Sequence, residues 1–201
     1  MKKILFAILM CLPMTMTAQN TWEIQKNENG VAANPDAKYL TGAVPVADGK
    51  VVFETTIEAP GKSAEQIYQT LRKCLNDMTK EENQFEQSRI VLTDSVSHQI
   101  VASYQEWLVF KSTALVLDRT RLFYHIIADC KDGKADIKMT KIYYLYEEER
   151  DPQTLKAEEW ITDEYGLKKN KRKLSRVTGK FRRKTIDRKD YLFDKFAKLL
   201  K

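Results

Sequence analysis

The chain has 201 residues, a formal charge of +6, 31% charged and 43% hydrophobic residues, and three cysteines. That length fits one domain with or without an appendage, and 3 Trp, 9 Tyr and 8 Phe are too many for a disordered chain. Three cysteines and seven glycines likewise exclude a disulfide scaffold and a collagen, and the pattern holds no coiled coil, zinc finger or set of membrane spans.

Lys2 and Lys3 precede an apolar run from Ile4 to Leu12, then Pro13 and small or polar residues up to Ala18. This is the order of a secretory signal peptide over residues 1–18, cleaved near Ala18. The run is shorter than the ~20 residues of a membrane span, and the large Met10 argues against a lipidated Cys11. The expectation is an exported chain, periplasmic or secreted, with no transmembrane segment, a charge of +4 and two cysteines, Cys74 and Cys130. Export would let these two pair, but each lies in an apolar pattern, which favours buried free thiols.

Residues 19–45, interrupted by Asn, Gly and Pro, predict an extended entry segment. Asp48-Gly49 turns the chain into a strand over 50–58, with Val51, Phe53, Thr55 and Ile57 on one side. Ser63 and Gln66 form a capping-box pair, and Ala64, Ile67, Tyr68, Leu71, Cys74, Leu75 and Met78 then make one helical stripe. After a charged loop over 80–86, strands are predicted over 89–95 and 99–110, joined at Ser97-His98. Residues 111–119 read equally as loop or strand, and strands over 120–130 and 134–146 meet across Asp132-Gly133, a strong hairpin signal. Beyond Asp151-Pro152, Trp160 and Ile161 mark a predicted helix over 155–167, and Ile186, Leu192, Phe193, Phe196 and Leu200 mark another over 185–200.

Successive β-runs with one helix among them argue for an antiparallel sheet. The expected fold is α+β, a single mostly antiparallel five-stranded sheet in β-α-β-β-β-β-α order, with two C-terminal helices. Its core domain spans 46–147, and a helical, charge-segregated extension over 148–201 packs on it.

Five stretches carry a family resemblance: residues 39–45 (YLTGAVP), 106–115 (EWLVFKSTAL), 117–121 (LDRTR), 157–163 (AEEWITD) and 179–187 (GKFRRKTID). They resemble a family of bacterial secreted proteins, a domain of unknown function with a TATA-binding-protein-like fold. The resemblance implies that fold and export, and no reaction, cofactor or ligand. Reading DNA binding from the fold name would be analogy alone. A DNA-binding saddle of that kind uses two copies of the unit and apolar wedges, so one copy with an export signal disfavours nucleic acid.

Candidate chemistry is sparse. His98 reads as a hairpin-tip residue and His125 as a sheet histidine; neither has metal-type spacing to Cys, His or carboxylate partners. No nucleophile elbow, phosphate loop or zincin motif occurs, so the expectation is a non-enzyme with no cofactor and no metal. The charge distribution says more. Residues 168–189 hold twelve Lys or Arg against one acid, Asp187, a net +11 that leaves −7 for the rest of the exported chain. Residues 146–165 alone carry −6. Lys180, Arg182, Arg183, Lys184 and Arg188 are therefore the candidate anion-binding residues; the alternative is that the acidic and basic blocks neutralise each other.

The predicted strands are apolar on both sides. Val51, Phe53, Ile57, Ile137, Met139, Tyr143 and Leu145 form one side, and Trp107, Val109, Phe123, Ile127, Ile142, Tyr144 and Tyr146 the other. An antiparallel sheet with one wet face alternates more cleanly. Either the tail's apolar stripe covers the second side, the favoured expectation, or Trp107, Tyr144 and Tyr146 offer an apolar surface. The functional expectation is an exported binding module meeting an anionic envelope component or another protein; the alternative is an envelope assembly protein whose charged segments pair, and the third and least favoured is a hydrolase-type enzyme built on His125 facing a carboxylate.

Overall fold

The structure, a computed structural model, describes residues 35–201. The predicted signal peptide and most of the entry segment lie outside the described residues. A two-residue hairpin, β1 (Val46–Ala47) and β2 (Lys50–Val51), turns at Asp48 and Gly49, both with positive φ. Then follow β3 (Phe53–Glu58), α1 (Ala64–Met78), β4 (Arg89–Asp94), β5 (Gln99–Ser112), β6 (Leu117–Lys131), β7 (Lys134–Tyr146), β8 (Gln153–Lys156) and α2 (Gly179–Leu200). The main sheet is antiparallel, in spatial order β3-β7-β6-β5-β4, with β8 also on β7.

Local chemistry accounts for most of these elements. Ser63 Oγ accepts from the Gln66 backbone N–H and Gln66 Oε1 accepts from Ser63 N–H, the reciprocal cap expected for α1. Asp132 Oδ1 accepts a further helix-start N–H from Ala64 at 2.7 Å, joining the β6–β7 turn to α1. Over most of their length the long strands alternate, and Ile100, Ala102, Tyr104, Leu108, Leu122, Tyr124, Ile126, Ala128, Ile137 and Met139 fill one face. Ile67, Tyr68, Leu71, Leu75 and Met78 of α1 and Phe181, Ile186, Leu192, Phe196 and Leu200 of α2 close that same core.

Three expectations are corrected. The main sheet has six strands, not five. β3 pairs only with the first half of β7, up to Phe53↔Met139, and leaves the edge groups of Tyr143–Tyr146 open. β8 fills that gap (Tyr143↔Lys156 to Tyr146↔Gln153), because unpaired backbone groups over a core must find partners. The predicted helix over 155–167 is therefore β8, a single 3₁₀ turn (Ala157–Glu159) and turns, leaving one C-terminal helix.

The second correction concerns that helix, which starts at Gly179 rather than 185. Its buried positions include Arg182 and Arg188 alongside Phe181, Thr185, Leu192, Phe196 and Leu200. A stripe counted only from apolar residues misses its first turns.

The third is the assignment of faces. Lys141 sits at φ +52 where the β6–β7 register slips between Phe123 and His125. This bulge adds one residue to β7 and reverses its alternation. Met139 is buried before it, Ile142 and Tyr144 after it, and Tyr143 turns outward to stack on Phe123 at 4.3 Å. Tyr144 is thus a core residue, its hydroxyl bonded to Thr185 Oγ1 at 2.7 Å, not a surface candidate. Since α1 and α2 share one face, α2 does not cover the other, which carries Val101, Trp107, Phe123, His125, Ile127 and Tyr143 half-buried or exposed.

Candidate functional site

The predicted anion-binding residues on α2 have separate surroundings. Arg188 is fully buried and bidentate on Glu106, itself fully buried, with Nε and Nη2 each 2.7 Å from a carboxylate oxygen. Asn83 and Gln84 side-chain amides also donate to Glu106 Oε2, each at 2.8 Å. Burial works against the Arg188 charge, but Glu106 more than offsets it and holds the guanidinium well above its usual range. Arg182, also fully buried, donates to the carbonyls of Tyr39, Leu40 and Ile161 and to Asp163, at 2.6–2.7 Å. It thereby ties the 39–44 segment and the 157–163 segment to α2.

Arg183 pairs with Asp36 at 2.5 Å and lies over the Tyr39 ring. Lys180 bonds Asp118 at 2.7 Å and the Tyr146 hydroxyl at 3.0 Å. Tyr146 is half-buried beside Phe110 and Phe181, on the helix side rather than on an open platform. Lys184 is half-buried on α2. Arg182 and Arg188 are closed to an outside ligand, a correction to their place among the anion-binding candidates.

The loop before α2 differs. Lys168, Lys169, Lys171, Arg172, Lys173 and Arg176 are all exposed, and none makes an ion pair among the described residues. The loop is nevertheless ordered by its own bonds. Leu167 bridges Leu174, Lys168 N–H donates to Lys173 O at 2.9 Å, Ser175 N–H to Gly166 O at 2.9 Å, and Asn170 Oδ1 accepts from Arg172 N–H at 3.1 Å. Gly179 packs under Leu174, where a Cβ would come within 2.8 Å of the leucine Cβ, so the loop sits tightly on the helix start. Lys168, Lys169 and Lys171 line an open groove together with Val44, Val46, Glu158, Asp163 and Glu164.

On the helix-free face, Trp107 packs against Phe85 at 5.0 Å, with the Arg119 guanidinium 3.7 Å over its ring. Arg121 lies 3.9 Å over Phe85 and is held by Glu148, while Arg119 reaches Glu149 at 3.1 Å. Of the three apolar-surface candidates, only Trp107 is on this face, and it is capped by its own arginine.

Other chemistry is dispersed. His125 sits half-buried in a row with Ser103 and Thr140 and is pulled below the usual histidine range by burial and then by Lys141. His98 Nε2 lies 3.1 Å from Glu65 at its predicted hairpin tip. Cys74 and Cys130 are both free thiols, and burial pushes the Cys130 thiol up to about 12. Among the described residues no three His, Cys, Asp or Glu side chains gather as a metal site.

The sequence contained a signal for the buried ion pair. Strand alternation puts Glu106 in phase with Ile100, Ala102, Tyr104 and Leu108, and a carboxylate in a core row requires a cation. Nothing local identified Arg188 as that cation.

One antiparallel sheet with both helices on a single face defines this as an α+β protein of the TBP-like class. The chain belongs to the family described as a domain of unknown function (DUF4468) with TBP-like fold, whose pattern matches residues 53–145. A solved structure of a member from Bacteroides ovatus is 44% identical, covers 83% of this chain and 95% of its own, and superposes with a TM-score of 0.76. A TBP-like protein from Parabacteroides distasonis shares the fold at 18% identity and a TM-score of 0.61, over 78% of this chain and 96% of its own. No curated protein matches the chain.

Proposed function

We propose that this chain is an exported, non-enzymatic binding module that holds an anionic component of the cell envelope through the 168–176 loop. One observation carries this reading: six exposed cations within nine residues, none ion-paired among the described residues, on a loop already closed by its own hydrogen bonds. Preorganisation lowers the ordering cost of binding, and unpaired surface cations raise the local concentration of anions. Export rests on the Lys2-Lys3 start and the apolar run that follows.

The test uses heparin as a generic polyanion. The triple variant Lys169→Glu/Lys171→Glu/Lys173→Glu should elute from immobilised heparin at clearly lower salt than the wild type. A charge-matched control, Lys73→Glu/Lys80→Glu/Lys198→Glu, changes exposed lysines elsewhere and should shift it far less. Equal shifts in the two variants would remove the loop from the proposal.

The assembly reading retains one favouring observation. Part of the acidic segment does pair within the chain, as Asp163 with Arg182, Glu148 with Arg121 and Glu149 with Arg119. It predicts an oligomeric state that moves with salt and no retention on heparin beyond the control.

A further inference from the structure

The outer edge of β4 is bare. Gln105 and Trp107 of β5 turn their backbone groups toward the β4 side, where Gln105 O accepts from Phe85 N–H at 2.8 Å and Trp107 N–H donates to Asn83 O at 3.2 Å. Every second residue of β5 points the same way, so its partners Arg89, Leu92 and Asp94 turn their own backbone groups toward β5. The N–H and C=O groups of Ile90 and Thr93 therefore point out of the sheet, and nothing bonds them among the described residues. Natural sheets blunt such an edge with lysine, proline or a covering element. Among the described residues β4 has none of these: its sequence is RIVLTD, and Val91 is 51% and Leu92 43% exposed.

The strand is complementary to itself. Run antiparallel against a copy, about a two-fold axis between Val91 and Leu92, it sets Arg89 opposite Asp94 and Ile90 opposite Thr93. In a regular strand that register fails, because it opposes residues whose side chains point to different faces. β4 is not regular: its pairing with β5 slips between Ile90 and Leu92, leaving Val91 as an extra residue. The bulge brings the residues on either side of it into phase. Ile90 and Thr93, three apart, both line the groove beside Arg72 and Asn76 of α1. Arg89 and Asp94, five apart, sit opposite Ser103 and Gln99, both on the helix-free face. Neither forms an ion pair among the described residues: Arg89 reaches Gln87 O at 3.3 Å, and Asp94 accepts from Val96 and Ser97 of its own turn.

From this geometry we propose that two copies of the chain pair edge to edge through β4, joining their sheets into one continuous antiparallel sheet. The occupant of the edge is a second copy because the strand supplies its own complement. Ile90 and Thr93 of the two copies exchange backbone hydrogen bonds, and Arg89 of each meets Asp94 of the other, once at either end. Val91 and Leu92 of both copies meet at the axis and leave water there. An edge of six residues is short against the roughly 1,200–2,000 Å² of a stable interface, so the dimer dissociates on dilution. The 168–176 loop takes no part in this contact, and the inference stands apart from the reading of that loop.

The experiment is sedimentation velocity of the exported chain over a concentration series that runs to the limit of its solubility. The average mass should rise from one copy toward two. Thr93→Pro removes an outward-facing donor from each copy and leaves the β4–β5 bonds in place. Association should then weaken about thirtyfold, with little change in melting temperature. Arg89→Glu, set against Asp94 of the other copy, should weaken it about fivefold. Independently, in a Cys74→Ser background, mild oxidation should link Leu92→Cys to its own copy as a disulfide dimer. Glu54→Cys, on β3 at the opposite edge of the sheet, should stay monomeric under the same treatment. A mass that stays at one copy throughout, or a dimer that Thr93→Pro leaves intact, overturns the inference. So does cross-linking of Glu54→Cys as readily as Leu92→Cys. A dimer that salt dissolves and Thr93→Pro does not belongs to the charge-paired assembly instead.

Discussion

Lys180, Arg182, Arg183 and Arg188 on α2 and the six cations of the preceding loop belong to one strongly basic stretch that holds a single acid, Asp187. Each of the four on the helix has a carboxylate within reach, from Asp118, Asp163, Asp36 and Glu106 respectively, while none of the loop cations has one among the described residues. The helix lies across the sheet and meets acids projecting from β5, the β6 start and the segments before β1 and after β8. The loop lies beyond that surface. Charge density along a sequence therefore measures supply, and the packing of other elements decides how much of it remains available to a partner.

The sharpest way to break this contrast is to remove charge from the helix. Arg188→Met should cost about 3–5 kcal/mol, because it leaves the Glu106 carboxylate buried without its cation. Urea denaturation measures this, and adding Glu106→Leu should recover much of the loss. If Arg188→Met alone is nearly neutral, the pair does not hold α2 on the sheet.

Arg182→Ala should cost about 3 kcal/mol by leaving the Tyr39, Leu40 and Ile161 carbonyls short of donors. Hydrogen exchange should then speed up at the amides of residues 39–43. Unchanged exchange would mean that Tyr39 and Lys38, which bond Asp187, hold the segment unaided. The smallest effect belongs to the loop: the Lys169, Lys171 and Lys173 triple variant should change stability by no more than about 0.5 kcal/mol, as exposed, unpaired positions do. A larger loss would show that the loop cations have a structural partner after all.

Much of the sheet was legible because strands and turns are local. Period-two alternation located β5, β6 and β7, Asp132-Gly133 located the turn between β6 and β7, and Ser63 with Gln66 located α1. Two features escaped for one reason. β8 forms because β3 leaves half of the β7 edge unpaired, and Tyr144 is buried because a bulge at Lys141 reverses the phase; neither is written in its own neighbourhood. The site was less legible still, because a buried arginine and an exposed one look alike in a run of basic residues.

The sequence by itself determined the α+β class, the antiparallel order of the long strands, the capped first helix and the segregation of charge. These follow from periodicity, turn chemistry and composition, which act over a few residues. Only the tertiary structure decided which cations face inward and which sheet face stays free of helices. Each of those depends on residues dozens of positions apart, and a charge or an apolar side chain acquires its role from what the fold places against it.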